Sequence, residues 1–342
     1  MKNFRFVMLI ACMNGFANIP NNAFVLTDET FGETESVNPT IQYEESTILT
    51  EFSKNANVIL CFEEASMLHD SQMNQRYCYI PFKEHGYLVF DVLNNVICEF
   101  SDSKDNEIQN IPDDCLYAGP GAFYSETEHG YLDLLTNEEI LCSKQDFLNS
   151  LLQIESQEIQ IPPKRNQSRI PRIARAATTK HVISGNVPNY RHNPDSRCGA
   201  TAAAMLLRWY DLYRNNKYVP KNLESNGGEA LINRLWDMIK SDNYSGAYPG
   251  MIYTQMMKFL RSQGVTHAGG LDGYTNEYVI GRVDSYGTPF ILNLWNHPVY
   301  RDHYVTGYGY YSDSTGFYPI VNDGHGRQGV KIHSNYATTI IW

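Results

Sequence analysis

Three short stretches in the second half of the chain carry side chains able to do covalent chemistry together. Cys198 opens CGATAAAMLLRWYD, His303 lies 105 residues later in RDHYVTGYGYY, and an Asn-Asp pair follows in FYPIVNDGHG. A thiolate nucleophile needs an imidazole to pair with it and to protonate the leaving group, and the imidazole needs an oxygen on its other nitrogen to fix its tautomer. These residue types therefore predict nucleophilic thiol chemistry, provided that folding brings them together.

The residues from Cys198 to about Arg214 predict a helix with Asp195 or Ser196 as its N-cap. At the first turn of a helix the unpaired N–H groups and the helix dipole favour the reactive thiolate. Gly199 and the small residues after it predict a close approach to a neighbouring sheet. The competing interpretation is that this cysteine is a small buried hydrophobe, as free cysteines often are.

Three apolar runs predict strands that position the histidine and the Asn-Asp pair: residues 289–295, 301–311 and 317–326. His303 begins the middle strand, and the Asn-Asp pair ends the last one. Seven histidines lie between residues 181 and 333, so a structural role for His303 is the competing interpretation.

Together, CGATAAAMLLRWYD, HYVTGYG and YPIVND resemble the papain-like cysteine peptidases of the C39-like group. They resemble more distantly the streptopain-type secreted peptidases, which have a long N-terminal propeptide. The resemblance covers about residues 182–342, and VPNY, Val187–Tyr190, resembles the strand that precedes the nucleophile in this group. The implied fold class is α+β, with a helix bearing the cysteine packed on an antiparallel sheet, preceded by a mixed α and β prodomain.

The resemblance implies that Cys198 is the nucleophile and His303 the general acid and base. It implies that Asp323 orients His303, with Asn322 as the alternative. The group usually has a glutamine six residues before the cysteine, and here His192 takes that position. His192 or the adjacent Asn193 is the candidate donor to the oxyanion, and losing such a donor typically costs on the order of 10²- to 10³-fold in rate.

The net charge of −11 is unevenly shared. Residues 1–175 carry 12 Lys and Arg against 26 Asp and Glu, whereas residues 176–342 carry 15 against 12, so the two parts should attract. Between them, PPKRNQSRIPRIARAATTK is basic and proline-rich, which favours an exposed linker that a protease can reach. A plain interdomain connector or a polyanion-binding arm is the alternative.

We therefore expect an acidic prodomain over residues 24–163, a basic linker and processing segment over 164–180, and a catalytic domain over 181–342. The prodomain is expected to act as an intramolecular inhibitor. Within it, GYLVFDVLNNVICEFS, Gly86–Ser101, predicts a β-hairpin.

The first 23 residues predict an export signal, with Lys2 and Arg5 ahead of a short apolar run and cleavage after Ala17. A secreted protein is expected, with lipid attachment through Cys12 as the alternative location. No apolar run reaches the ~20 residues that a membrane span needs.

No cofactor and no metal site is predicted, since the histidines and cysteines lack zinc-ligand spacing. The acidic total disfavours nucleic acid as a partner. The predicted function is a secreted cysteine peptidase made as a zymogen, with a peptide or protein as substrate. Two alternatives stay open: a thiol acyltransferase or deamidase, and a non-catalytic binding module on the same fold, secreted or attached to a surface.

Overall fold

The computed structural model describes residues 46–149, 178–191, 197–240, 247–297 and 301–342. They belong to one compact unit that spans residues 39–342. We call the described residues up to 149 the N-terminal half and those from 178 onward the C-terminal half. The predicted signal and Cys12 lie outside the described residues, as does all of the predicted linker except its last three positions.

The N-terminal half begins with helix α1, Thr47–Ala56, which ends at Asn57 in a left-handed conformation with φ 55°. The side chain of Ser46 caps the helix by accepting a hydrogen bond from the Leu49 main-chain N–H. Short strands follow this helix. They are β1 (Ser66–His69), β2 (Gln75–Pro81), β3 (Tyr87–Asp91), β4 (Val96–Ser101), β5 (Leu116–Tyr117), β6 (Phe123–Glu126), β7 (Gly130–Asp133) and β8 (Glu139–Leu141). These strands pair antiparallel, except that β1 and β5 pair in parallel.

The predicted hairpin over residues 86–101 is confirmed, because β3 and β4 pair antiparallel across a tight turn. Asn95 closes this turn with φ 54°, a left-handed conformation that asparagine tolerates better than most residues. All five residues of β3 are buried, so this strand is covered on both faces.

The predicted helix after residue 197 is confirmed as α2, Cys198–Tyr213. It is buried almost all round, because two strands of the C-terminal half pack on one side and two helices on the other. The residue before it is Arg197, whose side chain makes no capping hydrogen bond, and the predicted caps Asp195 and Ser196 lie outside the described residues. The other α-helices of the C-terminal half are α3 (Glu229–Ile239), α4 (Pro249–Ser262) and α5 (Asn276–Ile280).

The three predicted strands are confirmed as β11 (Phe290–His297), β12 (Arg301–Asp313) and β13 (Gly316–Asn322). In the β12–β13 register Thr306 pairs with Asn322, so His303 lies level with the residues just beyond the end of β13. The remaining strands are β9 (Thr179–Val182), β10 (Leu271–Gly273), β14 (Gln328–Ile332) and β15 (Ala337–Ile341).

The described strands form one mostly antiparallel sheet of 15 strands that runs through both halves. The halves join where β14 pairs with β4, with Lys331 opposite Phe100 and Ile332 opposite Glu99. The main hydrophobic core contains side chains from both halves, including Phe52 of α1. This mixed architecture, helices on a large antiparallel sheet, is compatible with a papain-like domain, and the boundaries at 163 and 180 stay predictions.

Two local expectations differ from the structure. Val187–Tyr190 forms no strand, and the carbonyl groups of Val187 and Pro188 accept hydrogen bonds from the Asn322 side chain instead of from a neighbouring strand. Thr179 and Lys180, placed in the linker by sequence, form part of β9 and pair with β12. Among the described residues, no helix combines the length and the apolar character needed to cross a bilayer.

Candidate active site

Cys198 opens α2, so its side chain belongs to the first turn, as the sequence predicts. It is 3% exposed and lies within the main hydrophobic core. The helix comes close to its neighbour at Gly199, where an added β-carbon would lie 2.6 Å from Ile252 Cδ1 of α4. The neighbour at Gly199 is therefore a helix, whereas the small residue Ala202 lies against β12, so the predicted close approach of this helix to a sheet is confirmed.

The start of α2 lies beside β12 and beside the loop that follows β13. The Thr306 hydroxyl donates a hydrogen bond of 3.1 Å to the Ala202 carbonyl. A β-carbon at Gly324 would lie 3.6 Å from Thr201 Cγ2. Folding thus brings the helix that carries the cysteine next to the strand that carries the histidine and to the predicted acid.

His303 is 2% exposed and packs parallel to His325, with ring centroids 5.0 Å apart and 13° between the planes. Burial and, to a smaller extent, the nearby His325 lower the pKa of His303 to about 3, although the carboxylate and main chain of Asp323 oppose the shift. The imidazole is therefore neutral at physiological pH in this state. A thiolate–imidazolium pair requires a change in its surroundings.

Asp323 is 1% exposed, and its carboxylate accepts three hydrogen bonds. Oδ1 accepts from the main-chain N–H groups of His325 (2.9 Å) and Arg327 (3.0 Å), and Oδ2 accepts from Arg327 Nε at 2.7 Å. Burial raises the pKa of Asp323, but Arg327 and His325 outweigh it and lower the pKa overall. The carboxylate thus stays charged and holds residues 323–327, which we call the site loop.

Asn322, the alternative partner of His303, is fully buried and directed elsewhere. Its Nδ2 donates to the carbonyl oxygens of Val187 and Pro188, both at 3.1 Å. Asn189 Nδ2 in turn donates to the Gly326 carbonyl at 2.7 Å. Asn322 therefore ties the segment before the nucleophile to the site loop.

The two predicted oxyanion donors, His192 and Asn193, lie outside the described residues. Their role stays a prediction. Within the described ranges, no group of three or more His, Cys, Asp or Glu side chains is arranged to hold a metal ion. The cysteines in these ranges form no disulfide with one another.

Arg327, a buried cation at the end of the site loop, is a residue of the candidate site that no sequence pattern predicted. Its guanidinium lies 3.5 Å from Glu99 Oε1 and bonds to the Tyr87 hydroxyl, so it connects the site loop to β3 and β4 of the N-terminal half. The Asp323–Arg327 spacing was visible in the sequence, but Glu99 is 228 positions away, and nothing local marks it as a partner.

One comparison with known proteins finds a similar family. A search of curated proteins finds no match to the chain. Residues 184–340 match the family described as Peptidase_C39 like. That segment contains α2 with Cys198, the strand with His303 and the whole site loop. Over residues 184–340 the chain is therefore similar to the Peptidase_C39-like family, and this match suggests a cysteine-peptidase-like fold for the C-terminal half.

Proposed function

We propose that this protein is a cysteine peptidase in which Cys198 attacks a peptide carbonyl and His303 protonates the departing amine, leaving a thioester that water hydrolyses. The proposal rests on one observation above all. Within a C39-like segment, the cysteine opens a helix whose first turns contact β12, which carries the histidine, and the site loop. Asp323 is proposed to orient His303.

We further propose that the chain is made as an exported zymogen whose N-terminal half inhibits the C-terminal half. The burial of both Cys198 and His303 supports this, because a substrate carbonyl cannot reach a thiol that is 3% exposed. The continuous sheet through β4 and β14 supplies the docking surface. Cleavage within residues 164–180 is the proposed activating event.

The test places a specific protease site in the 164–180 segment of the full-length protein and compares hydrolysis of a fluorogenic peptide before and after cutting. We expect turnover to rise at least tenfold on cutting and to vanish in Cys198→Ala. Equal turnover before and after cutting would contradict the zymogen proposal. A Cys198→Ala variant as active as the parent would contradict the peptidase proposal itself.

A second candidate, a non-catalytic binding module, is favoured by the same burial and by the neutral state of His303. An epoxide that traps papain-like thiolates separates the two candidates. Labelling of the cut protein at Cys198 supports the peptidase, and its absence with the fold intact supports the binding module. Incorporation of an added amine into the product would indicate the thiol acyltransferase instead.

A further inference from the structure

Asp323 is the residue proposed to orient His303, yet its carboxylate binds the site loop. All three of its hydrogen bonds come from His325 and Arg327, and the shortest is to Arg327 Nε at 2.7 Å. The hydrogen-bonding contact with His303 comes from the Asp323 main chain. Asp323 and the His303 imidazole are thus neighbours, but the Asp323 carboxylate is hydrogen-bonded to Arg327.

The N-terminal half fixes Arg327 from the other side. Glu99 of β4 is fully buried, lies 3.5 Å from Arg327 Nη1 and accepts hydrogen bonds from the Tyr87 hydroxyl (3.0 Å) and the Gly121 N–H (3.0 Å). The Tyr87 hydroxyl also accepts from Arg327. Because Gly121 has φ +78° and an added β-carbon would lie 3.2 Å from Arg327 Nη2, the backbone there closely covers the guanidinium.

We propose that Arg327 withholds the Asp323 carboxylate from His303, and that Glu99 and Tyr87 of the N-terminal half keep Arg327 in this position. Arg327 is a positioning residue, since it acts through Asp323. The proposal rests on the proposed function for the orienting role of Asp323. It adds the specific contact through which the N-terminal half controls the site.

The physical reason is the difference between a buried and a solvated guanidinium. With Glu99, Tyr87 and the cover at Gly121 in place, Arg327 is 6% exposed and its bonds to Asp323 form without competition from water. When those groups leave, Arg327 faces solvent, where a carboxylate–guanidinium pair is far weaker. The Asp323 carboxylate then becomes available to the adjacent imidazole.

The test uses the full-length protein and two readouts that need no peptide cleavage. One is the rate of iodoacetamide alkylation at Cys198, mapped by mass spectrometry with Cys198→Ala as the blank. The other is the titration of the His303 ring by NMR, assigned with His303→Asn. For Glu99→Gln we expect alkylation to accelerate roughly tenfold, the factor that corresponds to losing one charge-assisted contact. We also expect the His303 midpoint to rise from about 3 toward 6.5.

Asp102→Asn is the matched control, because Asp102, the residue after β4, pairs with Lys331 of β14, and among the described residues no hydrogen bond or ion pair joins Asp102 to the site loop. If docking of the N-terminal half is by itself what keeps the site closed, Glu99→Gln and Asp102→Asn will change the alkylation rate and the His303 midpoint equally when compared at the same free energy of unfolding. That result would show that the proposal is wrong. It is also overturned if neither variant changes alkylation or the His303 midpoint.

Adding Asp323→Asn to Glu99→Gln tests the route through Asp323. We expect the rise of the His303 titration midpoint to disappear in this double variant. If Glu99→Gln merely increased the mobility of the whole site, the rise would persist. If Glu99→Gln fails to fold, Glu99→Gln/Arg327→Gln removes both charges together and should give the same rise in alkylation. A shifted His303 midpoint in a protein that never cleaves peptides would refute the proposed function and leave this inference standing.

Discussion

Among the described residues, three ion pairs join the N-terminal half to the C-terminal half, namely Glu99–Arg327, Asp102–Lys331 and Asp102–Lys180, and the first two differ in their surroundings. Glu99–Arg327 is closed off from water, with side-chain exposures of 0% and 6%. Asp102 and Lys331 line a cavity of about 220 Å³, and the Asp102 carboxylate is 54% exposed. Both acids come from the end of the same hairpin, so the chain places similar charges in opposite environments three residues apart.

The two carboxyl groups respond in opposite directions. Burial raises the pKa of Glu99 despite the nearby Arg327, whereas for Asp102 the effect of burial is outweighed by Lys331 and Lys180, which lower the pKa overall. Burying an ion pair costs free energy unless hydrogen bonds satisfy all of its charged atoms. In an exposed ion pair, water satisfies the atoms that lack a protein partner. The inner pair is therefore the sensitive connection between the halves and the candidate site.

Removing the inner cation should have the largest effect on stability. Arg327→Leu leaves two buried carboxylates, Glu99 and Asp323, without their partner, so we expect the free energy of unfolding to fall by about 3 to 5 kcal/mol. Urea titration followed by far-UV circular dichroism measures the change. A loss below about 1 kcal/mol would mean that the network is solvated, contrary to its burial.

The second largest effect is expected from acid, which should lower the free energy of unfolding through the buried His303. The pKa of His303 is about 3 in the folded state against about 6.5 unfolded, so its stabilising contribution is complete above pH 6.5 and is lost as pH falls toward 3. The surrounding groups are His325, Asp323 and Arg327, and the Asp323 pKa is lowered, so its contribution declines only at lower pH. We expect unfolding free energy to drop by about 2 kcal/mol between pH 6.5 and 5.

His303→Asn should flatten this part of the pH profile, and Asp102→Asn should leave its slope unchanged. Chemical denaturation at each pH provides the measurement. An equal slope in the parent protein and in His303→Asn would show that another group causes the acid sensitivity.

Tyr87→Phe deletes one hydroxyl that donates to Glu99 and accepts from Arg327. We expect a loss of about 1 to 2 kcal/mol in unfolding free energy, since a buried charged acceptor loses one donor. Tyr117→Phe is a matched control, because Tyr117 is equally buried and its hydroxyl has no hydrogen-bond partner among the described residues. If both substitutions cost the same, the Tyr87 hydroxyl contributes no specific bond.

The outer pair should matter least. Because Asp102 is more than half exposed, Asp102→Asn should cost less than about 1 kcal/mol. Burial lowers the pKa of Lys331 to about 8 and Asp102 opposes the shift, so removing the carboxylate should lower that pKa further. Reductive methylation at pH 8 should then be faster at Lys331 in the variant, and a slower rate would contradict this account.

Local patterns predicted the elements that carry the candidate site. Apolar runs indicated β12 and β13, turn-forming asparagines indicated the 86–101 hairpin, and the alanine-rich run indicated α2. These predictions succeeded because each depends on neighbours a few residues apart. The prediction of a strand at Val187–Tyr190 failed because a side chain, Asn322, takes the hydrogen bonds that a strand would have offered to another strand.

The sequence by itself determined which chemistry is available: one cysteine at a helix start, a histidine on a strand, and an Asn-Asp pair beyond the next strand. Only the tertiary structure decided the burial and the hydrogen-bond partners of those groups: Cys198 and His303 are buried, and Asp323 is bound to an arginine. Hydrogen bonding and desolvation depend on contacts between positions as distant as Glu99 and Arg327. A pattern of neighbouring residues does not predict contacts between such distant positions. The contact of Glu99 with Arg327 therefore could be identified only from the folded chain.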